Sequence, residues 1–152
     1  MTNQSSVCDL CCEAGGEVLF RHPQLRVVLV DDRLYPGFCR VIWHTHVREM
    51  TDLGPAEREL FMRFVWAVEQ AVRTVLRPDK LNLACLGNLT PHLHWHVIAR
   101  HSDDAHFPQP VWGQQQRAPD AAILAARSRL LPQLREAVSA QCAAIKNDID
   151  MV

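Results

Sequence analysis

The run His92-Leu93-His94-Trp95-His96-Val97-Ile98 alternates three imidazoles with Leu93, Trp95 and Val97. Alternation with a period of two marks a strand with unlike faces. On extended backbone the three rings stand on one side, repeating every 6.6–6.8 Å or about that. The apolar set can bury against a core. Imidazoles fill a core poorly, because each ring has two nitrogens to satisfy, so the row is expected to face a cleft. Grouped titratable side chains favour a functional site. Neutral imidazole is a nucleophile near neutral pH, provided its other ring nitrogen donates to a fixed acceptor. One ring of such a row can attack phosphorus to form a phosphoramidate, while its neighbours stabilise the developing charge or protonate the leaving group. That chemistry needs no metal.

Outward from this run, Leu81–Leu86 reads as a second strand, joined to the histidine strand through Gly87-Asn88-Leu89-Thr90-Pro91, a connection short enough to make the two antiparallel neighbours. Upstream, Thr51, Asp52 and Gly54 are candidate caps, Pro55 suits a first helical turn, and apolar residues from Leu60 to Leu76 recur at helical spacing until Pro78. Val18–Phe20 and Leu25–Val30, separated by Arg21-His22-Pro23-Gln24, read as a hairpin. Asp31 to Gly37 concentrates turn formers, and Phe38–Trp43 returns to strand composition. Downstream, Arg100–Gln116 has no clear period, and Asp120–Ile145 carries an Ala-rich helical pattern interrupted at Pro132. The order of elements predicts an α+β fold with about five mainly antiparallel strands, one long helix and a C-terminal helical segment.

At 152 residues the chain fits one domain spanning 1–152, with its core over about 8–113 and a helical extension over about 119–147. Sixteen Lys and Arg against seventeen Asp and Glu leave no broad basic surface, which argues against a nucleic-acid polymer as partner. Met1–Val7 is polar and no segment approaches the roughly 20 apolar residues of a membrane helix, so a soluble cytoplasmic protein is expected. The six cysteines are accordingly expected as thiols.

The histidine run matches the pattern His-φ-His-φ-His-φ-φ, and the chain resembles bacterial members of the histidine triad (HIT) superfamily. Motif order supports the resemblance from about Asp31 to Trp112. It implies a HIT-like sheet, usually in a homodimer, and hydrolysis or transfer of nucleoside monophosphates from phosphoanhydrides, phosphoramidates or dinucleoside polyphosphates such as diadenosine tetraphosphate. The partner is then a small nucleotide, and no cofactor is implied. The resemblance makes His94 the nucleophile, forming a covalent nucleotidyl intermediate, with His96 on the phosphate or leaving group and His92 completing the polar network. Asn82 approaches the α-phosphate. Gly87 and the backbone of Asn88 and Leu89 supply amide donors. Asp31, with Asp32 as an alternative register, takes the ribose hydroxyls, and His106-Phe107 frames the leaving group.

The chain departs from the family pattern at Phe38, where many members carry a histidine after the Pro-Gly turn, and at Asn88 and Leu89, where relatives carry Gln and Ser. Some relatives bind zinc through a Cys-x-x-Cys pair and two histidines, for which Cys8, Cys11, His46 and His92 are the candidates here. Spacing alone assigns no metal to them. The alternatives are a metal-dependent hydrolase with the histidines as ligands, and a nucleotide-binding sensor or scaffold without turnover, to which the missing imidazole at Phe38 points.

Overall fold

The computed structural model describes residues 7–151, so all of the polar opening stretch except Val7 lies outside the described residues. β1 (Glu17–Arg21) and β2 (Leu25–Leu29) form the hairpin, closed by mutual backbone bonds between His22 and Leu25. β3 (Cys39–Trp43), β4 (Lys80–Ala84) and β5 (His94–Arg100) complete a five-stranded sheet of order β1-β2-β3-β5-β4, antiparallel at every pairing. The α+β class and the five-stranded antiparallel sheet are as read from sequence.

Side-chain alternation divides this sheet into two chemically different faces. Leu25, Val27 and Leu29 on β2, Cys39, Val41 and Trp43 on β3, and Val97 and Ala99 on β5 share one face and the main core. Against them packs α2 (Pro55–Leu76), through Phe61, Phe64, Val65, Val68 and Val72. Pro55 opens the helix where a missing N–H costs nothing, Glu57 Oε2 accepts the Gly54 N–H at 2.9 Å, and Arg77 closes it with left-handed backbone (φ 47°) before Pro78. α3 (Ala121–Ser128), capped by Asp120, is followed by α4 (Leu131–Asp150), which lies along α2 and adds Leu134, Val138 and Cys142 to the core. Pro132 falls in the first turn of α4, which is where the helical pattern was expected to break. No helix among the described residues is long and apolar enough to cross a membrane.

The other sheet face carries Arg26, Arg40, Asn82, His94, His96 and Arg100. Two small apolar clusters cover part of it. The four-residue helix α1 (Asp9–Cys12) sets Leu10 on Val28 and Ile42, and Tyr35 and Phe38 pack on Ile98. The polar face between these clusters is left for chemistry.

Candidate active site and Cys/His cluster

The ladder of β5 begins at His94, so the three histidines do not form the single row expected from their alternation. Pro91 has no N–H to give, the His92 N–H turns back to the Thr90 carbonyl, and the Leu93 N–H goes to the Val47 carbonyl. His94 and His96 remain together, ring centroids 4.7 Å apart and nearly perpendicular. The His92 ring instead stands edge-on to His46 at 5.2 Å.

His94 Nδ1–H donates to the backbone carbonyl of His92 at 2.5 Å. A carbonyl can only accept, so the neutral ring carries its proton on Nδ1 and a lone pair on Nε2. Burial disfavours the charged form of His94. The bond to the His92 carbonyl works against that, the nearby Arg40 guanidinium with it, and the balance lies below the ordinary histidine range. His96 is pushed further down, to about 3, by burial first and then by His94 and Arg40. Its Nδ1 is buried without a hydrogen-bond partner among the described residues, and its ring sits between Phe38 at 5.4 Å and Trp112 at 4.9 Å.

Two openings reach His94. One, of about 320 Å³, is lined by Arg40, His96, Trp112 and the loop Leu86–Thr90; the other, of about 310 Å³, by Arg40, Thr90, Gly15, Leu10 and the acidic Asp9 and Glu13. Gly87, Asn88 and Leu89 are thus brought to the histidines. Gly87 adopts φ 85°, a conformation that L side chains rarely take, and this turns the loop over the opening. Asn82 shares the histidine face, but its Oδ1 accepts from Arg100 at 2.8 Å. The Phe107 ring lies under the Arg100 guanidinium at 5.8 Å rather than in the wall of either opening. Asp31 and Asp32 line a different cavity with Gly37, Leu131 and Arg135, one that contains no histidine.

Arg100, which composition alone would leave solvated, is 2% exposed and bonded to Asp104, Asn82 and the Gln109 carbonyl. Arg40 and Trp112, both of which border the openings, are not singled out as site residues by the sequence pattern. Arg40 faces His96 across the β3–β5 ladder, and Trp112 covers the same ring. Strand parity places Arg40 on the polar face only once the register is known.

Beside this site, Cys8, Cys11, His46 and His92 bring their ligand atoms within 4.8 Å of one another. His92 Nε2–H donates to the Trp43 carbonyl at 2.6 Å, leaving the lone pair on Nδ1, which lies 3.4 Å from each sulfur and 3.3 Å from His46 Nδ1. Two thiols and two imidazoles fit a closed tetrahedral zinc centre, with no position left for a reacting water. The fold thus assembles a set that spacing alone leaves unassigned, from residues up to 84 positions apart. Among the described residues it is the only such cluster, and neither His94 nor His96 belongs to it.

Residues 12–103 match the family model of the HIT domain. AP-4-A phosphorylase from two strains of Mycobacterium tuberculosis is 30% identical over 86 residues, which are 53% of this chain and 44% of that protein. The chain therefore spans less than half the length of these relatives. Among solved structures, the histidine triad protein blr8122 from Bradyrhizobium japonicum superposes with a TM-score of 0.63 and 32% identity, covering 80% of this chain and 91% of the other. A zinc-bound histidine triad family protein from Mycobacterium smegmatis superposes with a TM-score of 0.58 at 24% identity, covering 90% and 96%, a likeness of fold.

Proposed function

Because this chain belongs to the HIT domain family, we propose that it is a nucleotide hydrolase or nucleotidyltransferase that cleaves the α-phosphate bond of adenylated or dinucleoside polyphosphate substrates. The reaction runs through a nucleotidyl group on His94 Nε2. One observation carries the reading: the His92 carbonyl holds the His94 proton on Nδ1, so the free lone pair is on Nε2, in a ring that lines two openings large enough for a phosphate group.

In this reading the turned loop Gly87-Asn88-Leu89 offers backbone N–H groups to the α-phosphate oxygens, and His96 contacts the phosphate or leaving group. His92 acts at one remove, through its carbonyl on His94, and not as a third ring in the pocket. Asn82 and Phe107 act through Arg100 and the segment it anchors, and ribose recognition by Asp31 requires the substrate to reach the neighbouring cavity. Cys8, Cys11, His46 and His92 would hold zinc, which supplies a structural tie between the N-terminal segment and the histidine strand. The homodimer of the family belongs to the same reading.

Intact-mass analysis of protein quenched during turnover of diadenosine tetraphosphate tests it. A mass increase of one nucleotidyl group, mapped to His94 and lost in His94→Ala, is the expected result. Undiminished turnover in that variant would remove the mechanism.

A further inference from the structure

Arg40 is a half-buried cation that makes no salt bridge among the described residues; Asp32 acts on it only from a distance, and Asp9 and Glu13 border one of the openings it shares. It stands on a central strand opposite His96, and it borders both openings that reach His94. Among the described residues its Nε is buried with no hydrogen-bond partner, and its one side-chain bond runs 3.4 Å to the Gly15 carbonyl. No carboxylate within ion-pair distance of it is found among the described residues. The other two arginines of the same sheet face are fully engaged: Arg26 by the carbonyls of Leu10, Glu13 and Ala14, and Arg100 by Asp104, Asn82 and Gln109. A desolvated guanidinium left unpaired is unfavourable, and an anion in the opening would relieve it. The opening lined by His96, Trp112 and Leu86–Thr90 has no acidic side chain in its wall, so the guanidinium, without a contacting partner, marks that opening as the place for a negative ligand.

The same opening is poor in proton donors. The Phe38 ring occupies the flank of His96 where an imidazole could have stood, and His96 is held deprotonated at neutral pH by its burial. Leaving groups differ in what they need. An amine departing from phosphorus must take up a proton, whereas a polyphosphate departs as a stable oxyanion and needs positive charge beside it.

We propose that Arg40 pairs with the departing phosphate oxygens, so that this site selects nucleoside phosphoanhydrides over nucleoside phosphoramidates. The proposal rests on the reading of His94 as nucleophile. In the step, the Nε2 lone pair forms the N–P bond and the P–O bond to the leaving group breaks. The electron pair stays on the departing oxygen, opposite the guanidinium, and no proton is transferred. Water then bonds to phosphorus, the P–N bond returns its pair to Nε2, and one proton passes to solvent.

The test compares kcat/KM for diadenosine tetraphosphate and adenosine 5′-phosphoramidate in wild type, Arg40→Gln and Arg40→Lys, with thermal unfolding as the check on folding. The expected result is a loss of about 100-fold on the tetraphosphate in Arg40→Gln, partial recovery in Arg40→Lys, and a loss of no more than about threefold on the phosphoramidate. An equal loss on both substrates would place Arg40 on the shared α-phosphate and overturn the assignment, as would no loss on either. Should Arg40→Gln fail to fold, a selective loss on the tetraphosphate in Arg40→Lys supports the proposal, and unchanged selectivity overturns it. If wild type turns over neither substrate, the nucleophile reading has failed, and calorimetric titration with inorganic pyrophosphate tests Arg40 by itself. Binding abolished by Arg40→Gln supports the anion site; absent or unchanged binding overturns it.

Discussion

His92 works in two directions at once. Its side chain donates through Nε2 to the Trp43 carbonyl and turns Nδ1 toward two cysteines and His46, while its own carbonyl fixes the proton of His94. Both tautomers are thus set by backbone oxygens, which have no charge to lose with pH. Arg26 plays a comparable anchoring part. Its guanidinium, 6% exposed with its residue, gathers the carbonyls of Leu10, Glu13 and Ala14, and so ties the turn after Cys8 and Cys11 onto the sheet. Arg26→Met leaves three carbonyls short of a donor and is expected to destabilise the protein by about 2–4 kcal/mol, measured by urea unfolding. A change within about 0.5 kcal/mol would mean that water replaces the guanidinium there.

Among the elements, the segment following β5 depends most on one buried pair. Arg100 and Asp104 meet at 2.7 Å, each with a side chain only 3% exposed, and Asp104 also accepts from the Tyr35 hydroxyl and the N–H groups of His101, His106 and Phe107. Burial by itself would raise the Asp104 carboxyl. The Arg100 guanidinium and these N–H donors outweigh it and hold the pKa at about 2, against 3.8 for a free side chain. A carboxyl depressed on folding adds stability that is full above its unfolded value and is lost as pH falls through the folded one. The pair is therefore expected to contribute about 2 kcal/mol at neutral pH, fading between about pH 4 and pH 2. Acid titration of stability in wild type should show this slope, and Asp104→Asn should lack it while being about 3–5 kcal/mol less stable at pH 7, because Arg100 stays buried with a weaker partner. A polar loop without a period gave no sign of this in the sequence, since the ion pair lies between residues whose charges look ordinary when read one at a time.

Over the whole molecule, the polar sheet face joins two centres through one residue. The Cys/His cluster borders the start of β5 and His94 stands two residues beyond its His92, so an ion in the cluster would brace the N-terminal segment against the strand that carries His94. Chelation of protein purified with zinc is expected to lower the melting temperature by about 2–4 °C for each kcal/mol of binding energy withdrawn, and Cys8→Ser with Cys11→Ser should abolish that sensitivity. An unchanged melting curve on chelation would remove the metal from the account. The hairpin, the long helix with its Pro55 start and Pro78 stop, the break at Pro132 and the strand from His94 onward were all determined by sequence alone, because period, caps and turn residues act within a few positions of one another. Only the tertiary structure decided that His92 leaves the row for His46 and the cysteines, that Arg100 is buried, and that Arg40 borders the openings beside His94 and His96 with no salt bridge among the described residues. Those outcomes depend on strand register and on contacts between residues as many as 84 positions apart, and no local pattern records either.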